Sequence, residues 1–177
     1  MIGRESQQIL PGELLPPEIE SSAREAILAH LEPIDAPSGT MFLSEGERND
    51  RMWFLTSGSA VIERKHRGGS IAIANLLAPA IFGATTFFRP TASTVTIRAT
   101  SPSRVLALSP SGYDRLKRDD PRAAESLARA TIQVLSERFD LLDQRMNEFM
   151  ELEKRPRSTD NEWTKFRARL FGDPNII

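Results

Sequence analysis

Between Ile34 and Leu108 the chain is punctuated by turn signals about ten residues apart, and this rhythm restricts the fold more than any other feature. The signals are PSG at 37–39, EGERND at 45–50, TSG at 56–58, RGG at 67–69, APA at 78–80, RPTAS at 89–93 and SPS at 101–103. Short apolar runs separate them, too short for helices and of the length of strands. Such spacing predicts an all-β sandwich or barrel. The run AVIERKHRGGSIAIA reads as a hairpin with Gly68–Gly69 at its tip. In STVTIRA the residues alternate, with Ser93, Val95, Ile97 and Ala99 on one face and Thr94, Thr96 and Arg98 on the other.

Helical patterns flank this region. Ile19, Ala23, Ala26, Ile27 and His30–Leu31 form a stripe over PPEIESSAREAILAHLEP, which Pro33 is expected to end. Ser109 can cap a short helix over 110–118, with Pro110 at its first position. Asp120–Pro121 repeats that arrangement and opens a long helix reaching about Lys154, on the order of 50 Å at 1.5 Å per residue. Along it Ala128, Ile132, Leu135, Phe139, Leu142, Met146 and Phe149 recur at alternating spacings of 4 and 3. That is a heptad seam. The stripe either packs on the β core of its own chain or meets a second helix. The helix overhangs a small barrel, so its later part is expected to form a homodimer seam through Ile132, Leu135, Phe139, Leu142, Met146 and Phe149.

The predicted organisation is a flexible leader over 1–15, a domain over 16–152 that includes the long helix, and a linker with a short amphipathic tail over 153–177. In the tail, Trp163, Phe166 and Leu170 share a face among basic residues.

Composition narrows the function classes. The net charge of −1 makes no electrostatic case for nucleic acid or an anionic membrane. There is no cysteine, so disulfides, thiolate catalysis and cysteine-based zinc sites are excluded. The uncharged run from Ile71 to Phe88 is broken by Asn75, Pro79 and Gly83. It reads as two buried strand pieces and a loop, FGATTF forming a turn, rather than a membrane span. The N-terminus lacks the apolar core of a signal peptide, and a cytoplasmic location is expected. No nucleophile elbow, Walker-type loop or paired-acid motif is present, and two scattered histidines make no metal cluster. No enzymatic activity and no metal site are expected.

The order of elements and a set of short motifs resemble the cyclic-nucleotide-binding domain of bacterial catabolite-activator-type regulators. The motifs are Gly39–Thr40, Gly46–Glu47, Met52–Leu55, Gly58–Ser59, FGATTFF at 82–88 and STVTIRATSPSRVLALSPSGYDRL at 93–116. The match spans roughly 18–150. It implies a double-stranded β-helix, a jelly-roll-like β-roll, mainly β with flanking helices.

The resemblance also implies a ligand segment. In the family a Phe-Gly-Glu turn, a short helix and an Arg-Ser/Thr-Ala strand hold the nucleotide, the glutamate on the ribose and the arginine on the phosphate. Here Phe82–Gly83 are kept, Ala84 stands at the glutamate position and Ser93 at the arginine position, followed by Thr94. Both charged contacts are missing. Ordinary recognition of cyclic AMP or cyclic GMP is therefore expected to be lost or altered, and no cofactor is expected.

The candidate pocket comprises Phe82, Gly83, Ala84, Thr85, Thr86, Phe87, Arg89, Ser93 and Thr94. Phe87 or Phe88 either lines it or closes it. In an alternative, Arg89 and backbone amides hold the phosphate, and the chain is a working nucleotide sensor. In a second, the long helix and tail act as an adaptor for an unknown protein partner. Haem would need an iron ligand, with His30 at the end of the first helix, His66 near the hairpin tip or a methionine as candidates, and it is not expected. About 25 residues follow Leu152, too few for a three-helix DNA-binding domain, so DNA binding is not expected.

Overall fold

The computed structural model describes Leu15 and residues 18–152. The rest of the leader, the tail and the side chain of Phe149 lie outside the described residues. Two compact units divide at Ile132/Gln133.

The first unit holds the β-roll. Eight strands form two four-stranded sheets, all of whose pairings are antiparallel: β1 (Glu32–Ala36), β8 (Ser103–Leu108), β3 (Met52–Ser57) and β6 (Ala80–Phe82) in one, and β2 (Met41–Leu43), β7 (Thr96–Ala99), β4 (Ser59–His66) and β5 (Gly69–Leu77) in the other. This is the expected jelly-roll-like order. α1 (Ser21–Ala29) ends with His30 as its C-cap, three residues before Pro33, which sits in the edge strand β1, where a missing N–H is tolerated. The β4–β5 turn is Arg67–Gly68, closed by the His66–Gly69 pair, one residue before the expected tip.

Period-two alternation in the first sheet feeds two cores. Met52 and Phe54 of β3 and Leu108 of β8 face a helical layer. There they meet Ile19, Ala23 and Ile27 from the α1 region, Leu116 of α3 (Pro110–Asp119), and Ala123, Ala124, Leu127 and Ala130 of α4 (Pro121–Leu152). Leu55 and Val105 face the other way, into the roll, with Phe42, Ala60, Phe82, Ile97 and Ala99. Leu15 is buried in the helical core, and its carbonyl accepts from Arg24 Nη1 at 3.0 Å. Leu15, the one described residue of the expected leader, thus belongs to this core.

The caps match their sequence signals. Gly112 N donates to Ser109 Oγ at 3.2 Å, and Ala123 N donates to Asp120 Oδ1 at 2.9 Å. His30 joins α1 to the end of α3, with Nδ1 2.8 Å from Ala26 O and Nε2 3.0 Å from Asp119 Oδ2. The expected burial of 71–77 fails: along β5 the side chains of Ile71, Ile73 and Leu77 are exposed, because β5 is an edge strand carried beyond the core by its hairpin. On α4 the buried face is Ala123, Ala124, Leu127 and Ala130. The heptad seam is a different face: Ile132 and Leu142 are 64% and 60% exposed, Phe139 is exposed, and Leu135 and Met146 are half-buried.

Candidate functional site

The segment from β6 to β7 is built around Gly83. Its φ of +77° is left-handed, and a Cβ there would fall 2.6 Å from the carbonyl oxygen of Arg51 and 3.1 Å from Trp53 Cδ1. Glycine alone meets both conditions. The chain then turns into α2 (Ala84–Phe88), a five-residue helix where a simple turn is expected from sequence. The inner side of α2 is closed. Ala84 is buried against the helical core. Thr86 Oγ1 donates to Gly83 O at 3.0 Å and accepts from Asn49 Nδ2 at 2.8 Å. Asn49 Nδ2 also donates to Arg51 O at 2.7 Å, while Asn49 Oδ1 accepts from Trp53 Nε1 at 3.3 Å. One half-buried amide therefore stitches α2 to the start of β3.

The outer side of α2 is aromatic. Phe87 and Phe88 lie edge-on to each other at 5.0 Å between ring centroids, and each lies edge-on to Tyr113 of α3 at 5.6 Å. Tyr113 Oη donates to Ala124 O of α4 at 3.5 Å, and Lys117 Nζ sits 5.3 Å from the ring centroid. Burial pushes the Tyr113 phenol above its ordinary value, partly opposed by the positive charge of Lys117.

At the strand end, Ser93 is 3% exposed. Its N–H donates to Glu47 O and its carbonyl accepts from Gly46 N, both at 2.8 Å. Its hydroxyl donates to Val95 O at 2.7 Å. The hydroxyl is thus satisfied within its own strand. Thr94 is exposed, and its carbonyl accepts from Arg64 Nε at 3.4 Å. Arg89 is exposed at the end of α2, with its backbone N–H on Thr85 O at 3.1 Å.

The nine candidate residues therefore fall into distinct places. Phe82 belongs to the roll core, its ring 5.4 Å from Phe42 and stacked 6.2 Å from Trp53. Ala84 and Thr86 are buried under α2, Thr85 and Arg89 face outward, and Phe87 packs on Tyr113. Ser93 and Thr94 come together with the 46–47 turn and with Arg64. Sequence reasoning missed Asn49 and Arg64. Asn49 lay inside a turn motif, and Arg64 inside a basic run that reads as a solvated hairpin tip. A separate open cleft of about 510 Å³ is lined by Asp35, Ala36, Pro37, Ser38, Ser57, Pro102, Ser103 and Arg104, and includes none of these candidates.

Two sheets closed into a roll, a glycine-led short helix between β6 and β7, and helices behind the first sheet define a cyclic-nucleotide-binding type of fold. Residues 33–120 match the model of the cyclic nucleotide-binding domain and form a domain of that type. A CRP-like cAMP-activated global transcriptional regulator of Mycobacterium tuberculosis is 28% identical over 112 residues, 63% of this chain and 50% of the regulator. The chain thus spans about half the length of the curated relatives it matches. Among solved structures, a cyclic nucleotide-binding domain from Methylobacillus flagellatus superposes with a TM-score of 0.69 at 19% identity, over 78% of this chain and 81% of that one. The catabolite activator protein of Thermus thermophilus gives 0.64 at 21% identity, over 77% of this chain and 62% of that one. No helix among the described residues is long and apolar enough to cross a membrane, and no DNA-binding domain is among them.

Neither Ala84 nor Ser93 carries a charge. Ala84 offers no carboxylate to a ribose hydroxyl. Ser93 offers a short neutral side chain whose hydroxyl is already bonded to Val95 O.

Proposed function

We propose that this chain is a non-enzymatic regulatory module of cyclic-nucleotide-binding type whose ordinary recognition of cyclic AMP and cyclic GMP is lost or altered, and that it acts through pairing of α4 and contact with a protein partner. The observation that carries this reading is the pair Ala84 and Ser93, buried at 9% and 3% exposure where the family places an acid and a base. Losing the partner of a buried phosphate costs roughly 2–5 kcal/mol. That is a loss of roughly thirty- to several-thousand-fold in affinity. An ordinary micromolar site would become a millimolar one. The exposed seam of Ile132, Phe139 and Leu142, distinct from the buried face of the same helix, supports pairing.

Isothermal calorimetry with cyclic AMP and cyclic GMP tests the recognition half: micromolar affinity for either overturns it. Sedimentation of the same sample tests the other half, because a chain that stays monomeric at all concentrations has no α4 pairing.

A further inference from the structure

If Ser93 supplies no charge, an anion entering the roll needs a cation from elsewhere, and the strand register points to one. Ala60 pairs with Ala99 and Ile62 with Ile97 across β4 and β7, and all four side chains belong to the interior of the roll. One step further along the same face of β4 is Arg64; just before β7 lie Val95, packed on the same core, and the buried Ser93. Arg64 is thus on the inner face, at the rim where that face opens. It leans onto the ligand segment itself, its Nε donating to the carbonyl of Thr94, the residue after Ser93.

Three of the nearby cations are otherwise arranged. Arg98 lies on the opposite face and is held by Glu63 at 2.6 Å. Lys65 Nζ is on the carbonyl of Glu45 at 3.3 Å. Arg89 is directed outward from the end of α2. Arg64 has no carboxylate partner among the described residues. With Nε committed to the backbone, the two terminal nitrogens keep their donors, the edge of a guanidinium that fits phosphate oxygens.

We propose that Arg64 is the anion-binding residue of this roll: its terminal nitrogens hold the phosphate of a small organic phosphate whose apolar body rests on the inner face at Ile62 and Val95. The cation is relocated from the ligand segment to the neighbouring strand β4, with the Thr94 carbonyl fixing its orientation. This rests on the reading of the domain as nucleotide-binding in type, and it names which contact is altered.

The test is a titration of the full chain, followed by amide and arginine Nε–H NMR signals, with cyclic AMP and, as a neutral control, adenosine. Arg64→Ala, Arg64→Lys and Arg89→Ala are compared with the unmodified chain. Arg64 is exposed, so the variants should keep the folded spectrum. The expected result is saturable, submillimolar-to-millimolar binding of cyclic AMP that Arg64→Ala weakens by about tenfold. Arg64→Lys should recover part of the loss, while Arg89→Ala should bind cyclic AMP as the unmodified chain does. Adenosine binding should be unchanged by Arg64→Ala.

Equal affinity of Arg64→Ala and the unmodified chain for cyclic AMP overturns the assignment. So does an equal loss for adenosine, or the absence of saturable binding in the millimolar range. The broader reading fails separately. Micromolar cyclic AMP affinity that disappears in Arg64→Ala would refute the weakened affinity of the broader reading while upholding Arg64. Absence of binding would do the reverse.

Discussion

The two ends of the β6–β7 segment are held differently. At the α2 end, backbone conformation, a steric contact and a buried amide network act together. Gly83 is fixed by its positive φ and by the Arg51 carbonyl, Thr86 by Asn49, and Phe87 and Phe88 by Tyr113. At the strand end, Ser93 is held by backbone bonds to the 46–47 turn that any residue could make, and its hydroxyl donates to Val95 O and accepts from Val95 N. The first end is therefore resistant to substitution, because changing it disturbs the core. The second relies less on its side chain, whose hydrogen bonds stay local to Val95.

The sharpest way to break that comparison is Gly83→Ala. A methyl group at a left-handed position, 2.6 Å from a carbonyl oxygen, should cost roughly 2–4 kcal/mol. Urea denaturation reads this as a lower midpoint. A loss below the error of the measurement would show that the α2 end is not sterically fixed.

Asn49→Ala should have a smaller effect. It removes the donor to Thr86 and Arg51 O and the acceptor of Trp53 Nε1, with an expected cost of about 1–2 kcal/mol because Asn49 is half-buried and water can replace part of the network. Hydrogen exchange localises the effect. Faster exchange of the α2 amides, with the β3–β8 amides protected as before, is the expected pattern. Uniform acceleration would mean that Asn49 supports the whole domain and not one end of the segment.

What was legible in the sequence follows the same division. Turn residues, strand alternation and helix caps are local, and they gave the strand-and-turn rhythm of the roll, the Ser109 and Asp120 caps and the buried row Ser93, Ile97 and Ala99. The family resemblance added the short helix that FGATTF, read by composition alone, presents as a turn. Contacts set by long-range register were not legible. Arg64 and Thr94 are thirty residues apart, and nothing local in ERKHR shows that one of its cations lies on the inner face. The exposure of β5 was misread for a related reason: an uncharged run signals burial only if its strand is central, and sheet order is not a local property.

The mildest probe concerns the far side of α2, where Tyr113 joins Phe87 and Phe88 to α4. The sequence has one tyrosine, so the tyrosinate absorbance of the folded chain reports this residue alone. Burial disfavours the charged phenolate more than Lys117 favours it, so half-ionisation should come above the ordinary value of 10.0. A folded-state value raised above the unfolded one means that the stabilisation is fully present below the unfolded value. It is lost as pH rises through the folded one. Alkaline titration followed by absorbance should therefore lag behind that of the chain unfolded in urea, and Lys117→Ala should widen the lag. Coincident curves would mean that the aromatic trio opens to solvent, and that α2 is as loosely held on its outer side as the strand end is at Ser93.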